Sequence, residues 1–164
     1  MTVIEHKNDI NWSDIKVAVV AARWNSFITD EMLEAAVQAL RAKGIQDKNI
    51  LTTRCPGAFE IPLTCKWCLE HLGVDGVIAI GAVIRGGTPH FDYVCDAVTR
   101  GITDLNLSSG KPVSFGVLTT DTVEQARERA SEEKGNKGAE AALALCEMLV
   151  IQRSVRSLSE QKTP

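Results

Sequence analysis

A short segment combines residue types that could bind an anion and move a proton. Arg85-Gly86-Gly87-Thr88-Pro89-His90 follows an unbroken apolar run that begins at Gly76. Two adjacent glycines let backbone N–H groups approach a ligand in conformations that other residues resist. A guanidinium, a hydroxyl and an imidazole stand beside those amides. The segment therefore predicts an anionic substrate and a proton-transfer step, with His90 as the acid or base.

The spacing of these glycines argues against two common nucleotide sites. Gly81-x4-Gly86 is similar to the phosphate loop of NTPases, but Gly87 stands where the lysine should be. No G-x-G-x-x-G follows the first predicted strand, as a dinucleotide site would require. A bare glycine turn is more often structural, so the functional interpretation depends on the clustering with the polar residues beside it.

Alternating strand and helix patterns position this segment. Apolar, β-branched runs predict parallel strands over residues 15–22, 49–54, 76–84 and 113–119. Helices are expected over residues 26–43, 62–73, 91–109, 122–130 and 137–155. Asn25 or Ser26 is expected to cap the first helix, and Asp121 with Glu124 the fourth.

This alternation predicts one α/β domain over residues 1–164. We expect a three-layer α/β/α sandwich, with helices on both faces of a four-stranded parallel flavodoxin-like sheet in the order 2-1-3-4. Its core should span about residues 14–155, between flexible tails at residues 1–11 and 158–164.

Ligands of such sheets bind beyond the carboxyl ends of the strands, and three unusual clusters fall there. Trp24 follows the first strand, Phe59 and Glu60 follow the second, and Arg85 to His90 follow the third. Two aromatic rings could sandwich a flat heterocycle. Glu60 could accept hydrogen bonds from a polyol, or it could stabilise the N-terminus of the next helix. We expect all three clusters to meet at one rim of the sheet.

Two further residues belong at the opposite end of the sheet. Phe115 lies early in the fourth strand, and Arg129 ends a helix that runs back from the rim. The last helix is apolar almost all round between Ala141 and Ile151, so it needs burial on more than one face. We therefore predict a homo-oligomer whose copies share their sites.

Composition excludes several other classes of protein. A net charge of −3 provides no electrostatic footprint for nucleic acid or an acidic membrane surface. No apolar run approaches the roughly 18 residues that span a bilayer, and the first residues lack a signal peptide's apolar core. A cytoplasmic protein with five reduced cysteines is expected. Cys65-x-x-Cys68 lacks a second ligand pair for zinc and falls inside a helix, which favours buried thiols over the redox alternative.

Five separated motifs closely resemble those of the lumazine synthase family, between Val17 and about Met148. They are Ala-Arg-Trp-Asn-Ser-Phe-Ile, Pro-Gly-Ala-Phe-Glu-Ile-Pro, Gly-Ala-Val-Ile-Arg-Gly-Gly-Thr-Pro-His-Phe-Asp-Tyr-Val, Phe-Gly-Val-Leu-Thr-Thr-Asp-Thr and Gly-Asn-Lys-Gly-Ala-Glu-Ala-Ala. The resemblance implies condensation of 5-amino-6-(D-ribitylamino)uracil with 3,4-dihydroxy-2-butanone 4-phosphate. The products would be 6,7-dimethyl-8-ribityllumazine, phosphate and water, without a metal or an organic cofactor.

Matching positions in this family imply a role for each residue of the site. His90 is the expected proton donor and acceptor, and Arg85 is a further candidate from the residues alone. The pyrimidine and its ribityl chain would bind at Trp24, Ala58, Phe59, Glu60, Ala82, Val83 and Ile84, together with Phe115 from a neighbouring copy. The butanone phosphate would bind at Gly87, Thr88 and Arg129. Lys137 and Glu140 fall in the final motif.

The resemblance also bears on assembly and on one alternative function. The family forms pentamers, some of which build decamers or sixty-subunit capsids, and riboflavin synthase is a candidate partner. Trp24 replaces a commoner phenylalanine, Gly87 a larger residue, and Ser131-Glu132-Glu133 a Gly-Thr-Lys-like kink. The larger indole leaves open a non-catalytic flavin- or lumazine-binding protein on the same fold.

Overall fold

Parallel strands and helices alternate along the chain in the computed structural model, which describes residues 10–160. The sheet has the order β2-β1-β3-β4, and every pairing is parallel. This confirms the predicted sandwich and strand order. The elements are β1 (Val17–Ala22), α1 (Ser26–Ala42), β2 (Ile50–Cys55), α2 (Ile61–His71), β3 (Gly76–Ile84), α3 (His90–Ser109), β4 (Val113–Thr120), α4 (Val123–Ala130) and α5 (Lys137–Glu160).

Helices cover both faces of the sheet because its central strands are apolar on both sides. On β3, Ile78 and Ile80 pack with α1, α4 and α5, whereas Val77 and Ala79 pack with α2 and α3. Alternate residues of a strand point to opposite faces, so one apolar run serves both layers. One layer therefore holds α1, α4 and α5, and the other holds α2 and α3.

Both predicted helix caps are wrong in their detail. Asn25 precedes α1 in a left-handed conformation with φ 57° and ψ 42°, and its side chain makes no capping bond. Its Nδ2 instead donates to the carbonyl of Ala82 at 2.8 Å, which joins the end of β1 to the end of β3. At α4 the cap is Thr122, whose Oγ1 accepts from the Gln125 amide at 3.2 Å.

The last helix is longer than its pattern predicted, since α5 continues to Glu160 rather than ending near Val155. Ile10 packs against the core on the α1 side of the sheet. The rest of the predicted tails, residues 1–9 and 161–164, lies outside the described residues and stays a prediction. Between residues 10 and 160 we find no helix with the length and apolar content that a bilayer crossing requires.

The cysteine pair lies in the core, as its position within a helix predicted. Cys65 and Cys68 of α2 are buried against the β1–β3 face. Burial raises the pKa of both thiols, which opposes the thiolate that redox chemistry needs.

Candidate active site

The indole of Trp24 lies over the backbone of the loop that follows β2. The Trp24 amide donates to the Pro56 carbonyl at 3.0 Å, which joins the loops after β1 and β2. A Cβ added to Gly57 would lie 2.4 Å from Cε3 and 2.7 Å from Cζ3 of the indole. Only glycine therefore lets the ring pack this closely. The side chain remains 63% exposed, so the indole is open to a ligand.

Beside the indole, a 3-10 turn at Ala58–Glu60 leads into α2. Phe59 is 61% exposed, whereas Ala58 is buried. One carboxylate oxygen of Glu60, Oε2, accepts from the Gly57 amide at 2.9 Å. The other oxygen has no hydrogen-bond partner in residues 10–160. Both interpretations of Glu60 are therefore compatible, since one oxygen orders the turn and the other can accept a bond from a ligand.

The end of β3 carries backbone groups that no neighbouring strand uses. Pairing of β3 with β1 stops at Ile80, while its pairing with β4 continues to Ile84. On the β1 side, Ala82, Val83 and Ile84 thus have no strand partner within the described sheet. Asn25 donates to the Ala82 carbonyl and so uses one of the backbone groups on this side.

The loop from β3 to α3 is exposed, and its amides are open. In the part of the chain that the structure describes, nothing accepts from the amides of Gly86, Gly87 and Thr88. Neither glycine has a left-handed φ, so our expectation of a conformation closed to other residues is wrong. A Cβ added to either glycine would meet nothing within 4 Å. What the glycines provide is space beside unpaired N–H groups, which suits an anion.

His90 is the first residue of α3 and stands directly after this open loop. Its side chain is exposed and has no hydrogen-bond partner among residues 10–160. The same helix packs against the 3-10 turn that carries Phe59 and Glu60. The imidazole is therefore free to exchange a proton with a ligand at the rim.

Arg85 does not offer a free cation to the loop. Its Nε donates to Asp121 Oδ1 at 2.8 Å, and its Nη1 donates to Asp92 Oδ1 at 3.2 Å. These carboxylates raise the pKa of Arg85, and the hydrogen bond that Arg85 donates to Asp121 is the largest cause. The guanidinium that the sequence placed beside the amides is thus already paired.

A second cluster of predicted site residues lines a separate groove of about 360 Å³ along β4. Arg129 of α4 donates from Nη1 to the Gln125 carbonyl at 3.2 Å and forms no ion pair with a carboxylate of the described chain. Lys137 pairs with Glu140 at 2.6 Å at the start of α5. Phe115 on the edge strand is 44% exposed. The structure therefore brings these four residues together, as sequence reasoning did only in part.

The groove and the rim lie at different places on one copy. Phe115 pairs with Ala79, five residues before the end of β3 at Ile84. At about 3.3 Å per residue, this separates Phe115 from the strand ends by roughly 16 Å. None of Trp24, Phe59 and His90 lines the groove. Phe115 therefore lies away from the strand ends, as predicted, whereas the other end of the groove reaches Thr119, which pairs with Val83 near the rim. The separation of Arg129 from the rim stays a prediction.

Known protein sequences match this chain over most of its length. The 6,7-dimethyl-8-ribityllumazine synthase family model matches residues 14–153. The chain belongs to this family. It is also 48% identical over 146 residues to the 6,7-dimethyl-8-ribityllumazine synthase of Lactiplantibacillus plantarum, covering 89% of this chain and 92% of that protein. The resemblance in the sequence is thus confirmed, and with it a transferase of riboflavin biosynthesis.

One residue that supports the groove of this family member was missed by sequence reasoning. Asn136 is buried, and its Oδ1 accepts from the Gly138 amide at 2.8 Å. Its Nδ2 donates to the carbonyl of Ala130 and, at 3.4 Å, to that of Glu31. One side chain thus joins the end of α4 to the start of α5. An asparagine just before an apolar helix is a capping signal that could have identified it.

Proposed function

We propose that this chain condenses 5-amino-6-(D-ribitylamino)uracil with 3,4-dihydroxy-2-butanone 4-phosphate, and that neighbouring copies build the site together. The observation that carries this proposal is the presence of two complementary, incomplete clusters on one chain. The rim has an exposed indole and unpaired amides, but its Arg85 is already paired with Asp92 and Asp121. The groove has a cation, Arg129, and an aromatic ring, Phe115, but none of the rim residues Trp24, Phe59 and His90 lines it.

The pyrimidine is proposed to bind at the rim, stacked on Trp24. The position of the indole over Gly57 supports this, because the ring is held on one side and open to a ligand. Backbone groups of Ala82 to Ile84 would read the edge of the heterocycle. The ribityl hydroxyls would donate to the free oxygen of Glu60, beside Ala58 and Phe59.

The butanone phosphate is proposed to bind at the open loop. The unpaired amides of Gly87 and Thr88 would bind its phosphate, and Arg129 of the neighbouring copy would supply the charge. Phe115 of that copy would close over the pyrimidine, with Lys137 and Glu140 bordering the same side. His90 follows the loop directly and begins the helix that packs against the turn of Glu60, so the two reacting ends would meet beside it.

Apolar residues on the outer surface support a homo-oligomer. Phe59, Leu63 and Trp67 recur every four residues, and each is more than half exposed. That spacing places Leu63 and Trp67 on one face of α2, which begins directly after the turn that carries Phe59. On α5, Leu143 and Met148 are nearly half exposed as well. A neighbouring copy that covers such faces would bring its groove to the rim; the family resemblance suggests five copies.

The reaction needs orientation more than it needs strong chemical groups. The amine of the pyrimidine attacks the ketone and water leaves to form an imine, after which phosphate is eliminated and the ring closes with loss of water. Holding the two reactants in place can supply up to about 7–11 kcal/mol of the barrier reduction. His90 would move protons between these steps, which adds about 10²–10⁴-fold.

Turnover of the purified protein tests the reaction directly. Lumazine formation, followed by absorbance with both substrates, should appear with one phosphate released per product. The exposed indole also suits a flavin, so the alternative is a binding protein without turnover. Flavin binding on titration with no lumazine formed would favour that alternative and contradict ours.

Mixed oligomers test whether copies share the site. His90→Ala damages only the rim, and Arg129→Ala damages only the groove. In oligomers co-assembled from equal amounts, about one quarter of shared sites would draw an intact rim from one copy and an intact groove from the next. Activity should therefore rise toward about one quarter of the wild-type value, above that of either variant alone.

Two variants of the same cluster provide the matched control. Every site of a His90→Ala and Trp24→Ala mixture has a damaged rim, so the activity of that mixture should not exceed the mean of the two variants measured alone. Equal recovery in both mixtures, or none in the first, would contradict a site shared between a rim and a neighbouring groove.

A further inference from the structure

One guanidinium connects both ends of the open loop to the end of β4. Arg85 is the last residue before the loop, and Asp92 lies in the first turn of α3 beyond it. The Arg85 side chain donates to Asp92 at 3.2 Å and to Asp121 at 2.8 Å. Its guanidinium carbon also lies 4.0 Å from the centroid of the Phe91 ring. A planar fork with several fixed donors can make all these contacts at once.

The loop between those ends has few other restraints. The Arg85 amide donates to the Thr120 carbonyl at 2.9 Å and so extends the ladder between β3 and β4. Asp121 is itself held, since its amide donates to Gln125 Oε1 at 2.9 Å. Within the described chain, residues 86–89 take part in one backbone hydrogen bond, from the Asp92 amide to the Pro89 carbonyl at 3.0 Å. The arrangement of the open amides therefore depends on where Arg85 holds the two ends.

We propose that Arg85 is a positioning residue, which clamps the 86–89 loop so that its amides are preset for phosphate. This inference rests on the proposed function of that loop. A direct ligand role for Arg85 would require it to leave Asp92 and Asp121. Two unpaired carboxylates would then face the incoming anion and repel it. The cation for the phosphate must therefore come from elsewhere, and Arg129 forms no ion pair with a carboxylate of residues 10–160.

The direction in which Asp121→Ala changes the KM for the butanone phosphate separates the two roles. If Arg85 were a phosphate ligand, Asp121→Ala would free its guanidinium and lower the KM for the butanone phosphate. If Arg85 is a clamp, Asp121→Ala and Arg85→Met should each raise that KM by about three- to tenfold. The KM of the double variant should then be no higher than that of the more impaired single variant, because both substitutions break the connection between Arg85 and Asp121. The KM for the pyrimidine should change little.

Amide hydrogen exchange gives a readout that does not need turnover. Exchange of the Arg85 and Asp92 amides, which donate hydrogen bonds at the two ends of the loop, should rise in both single variants. The matched control is Arg41→Met, which breaks an ion pair of the same Nε-to-Oδ1 type with Asp47 at 2.6 Å. Its arginine is 45% exposed against 42% for Arg85, but it lies at the end of α1. Arg41→Met should leave both the loop exchange and the KM unchanged.

The possible results separate this inference from the proposed function. If the unaltered protein forms no lumazine but both variants show faster amide exchange in the loop, the clamp is supported and the proposed function is overturned. Normal turnover with unchanged KM and exchange would keep the function and overturn the clamp. A rise in KM for Arg85→Met with a fall for Asp121→Ala would identify Arg85 as a ligand instead. If Arg85→Met does not fold, Asp121→Ala alone decides by the direction of its effect.

Discussion

Replacing Gly57 with alanine would displace the indole of Trp24 without straining the backbone. Gly57 has φ −141° and ψ −173°, an extended conformation that alanine adopts freely. Its new Cβ, however, would lie 2.4 Å from Cε3 of the indole. Ordinary contacts between carbon atoms are about 3.5–4.0 Å, so the ring must retreat by roughly 1 Å.

This displacement should cost binding more than stability. Because the indole is 63% exposed, it can swing toward solvent, and the free energy of unfolding should fall by less than about 1 kcal/mol. A well-placed aromatic pair contributes about 0.5–1.5 kcal/mol. Losing the stack should therefore raise the KM for the pyrimidine by about two- to tenfold. The KM for the butanone phosphate should remain near the wild-type value.

Steady-state kinetics with each substrate varied in turn, together with a thermal melt, would measure both effects. Trp24→Ala provides the control, since the alanine at position 57 then has no ring to displace. Gly57→Ala should add nothing to the pyrimidine KM in that background. An unchanged pyrimidine KM in the single variant, or a full further rise in the double variant, would refute the proposed stack.

Three further perturbations have outcomes that the structure defines. His90→Ala should slow lumazine formation by about 10²–10⁴-fold without abolishing it, because orientation of the substrates remains; a folded variant with no detectable activity would contradict this division. Gly138→Ala should lower the melting temperature and cost about 1–3 kcal/mol, since its Cβ would lie 2.0 Å from the Met32 carbonyl oxygen and must push α5 from α1; an unchanged melt would exclude this. Burial raises the thiol pKa of Cys65, so the folded state favours the protonated thiol. The stability that this protonated thiol contributes is fully present below the pKa of the unfolded state and is lost as the pH rises above it. Urea unfolding should therefore show stability falling as the pH rises above about 8.5, with a smaller fall in Cys65→Ala; equal slopes for both proteins would contradict the linkage.

Periodicity predicted most of the fold because each central strand is buried on both faces. The run from Gly76 to Ile84 has one interpretation only, and the predicted and observed bounds of β3 agree. Helix ends were less predictable. Asp121 has the residue type and spacing of a cap, but its carboxylate binds Arg85, 36 residues away, and Thr122 caps the helix instead. Local patterns cannot register a competing partner of that kind.

The chemistry of single residues was likewise only partly predictable. The sequence placed Arg85 beside the open amides as a free cation, whereas two carboxylates from later elements engage it. From the sequence, we expected Gly86 and Gly87 to adopt a backbone conformation that other residues resist, whereas in the structure they leave space beside unpaired amides. In both cases the residue type was informative, but only the packed chain shows that Arg85 is paired with Asp92 and Asp121 and that the glycine amides are not paired within residues 10–160.

By itself, the sequence determined the family, the parallel sheet and the residues that follow each strand, because these depend on local patterns and on motifs in a fixed order. Only the tertiary structure decided which of those residues meet. Strand register sets Phe115 about 16 Å from the rim, and long-range contacts pair Arg85 and place Trp24 over Gly57. Register and long-range contact are properties of the packed chain, since they follow from how its elements pack rather than from any one of them.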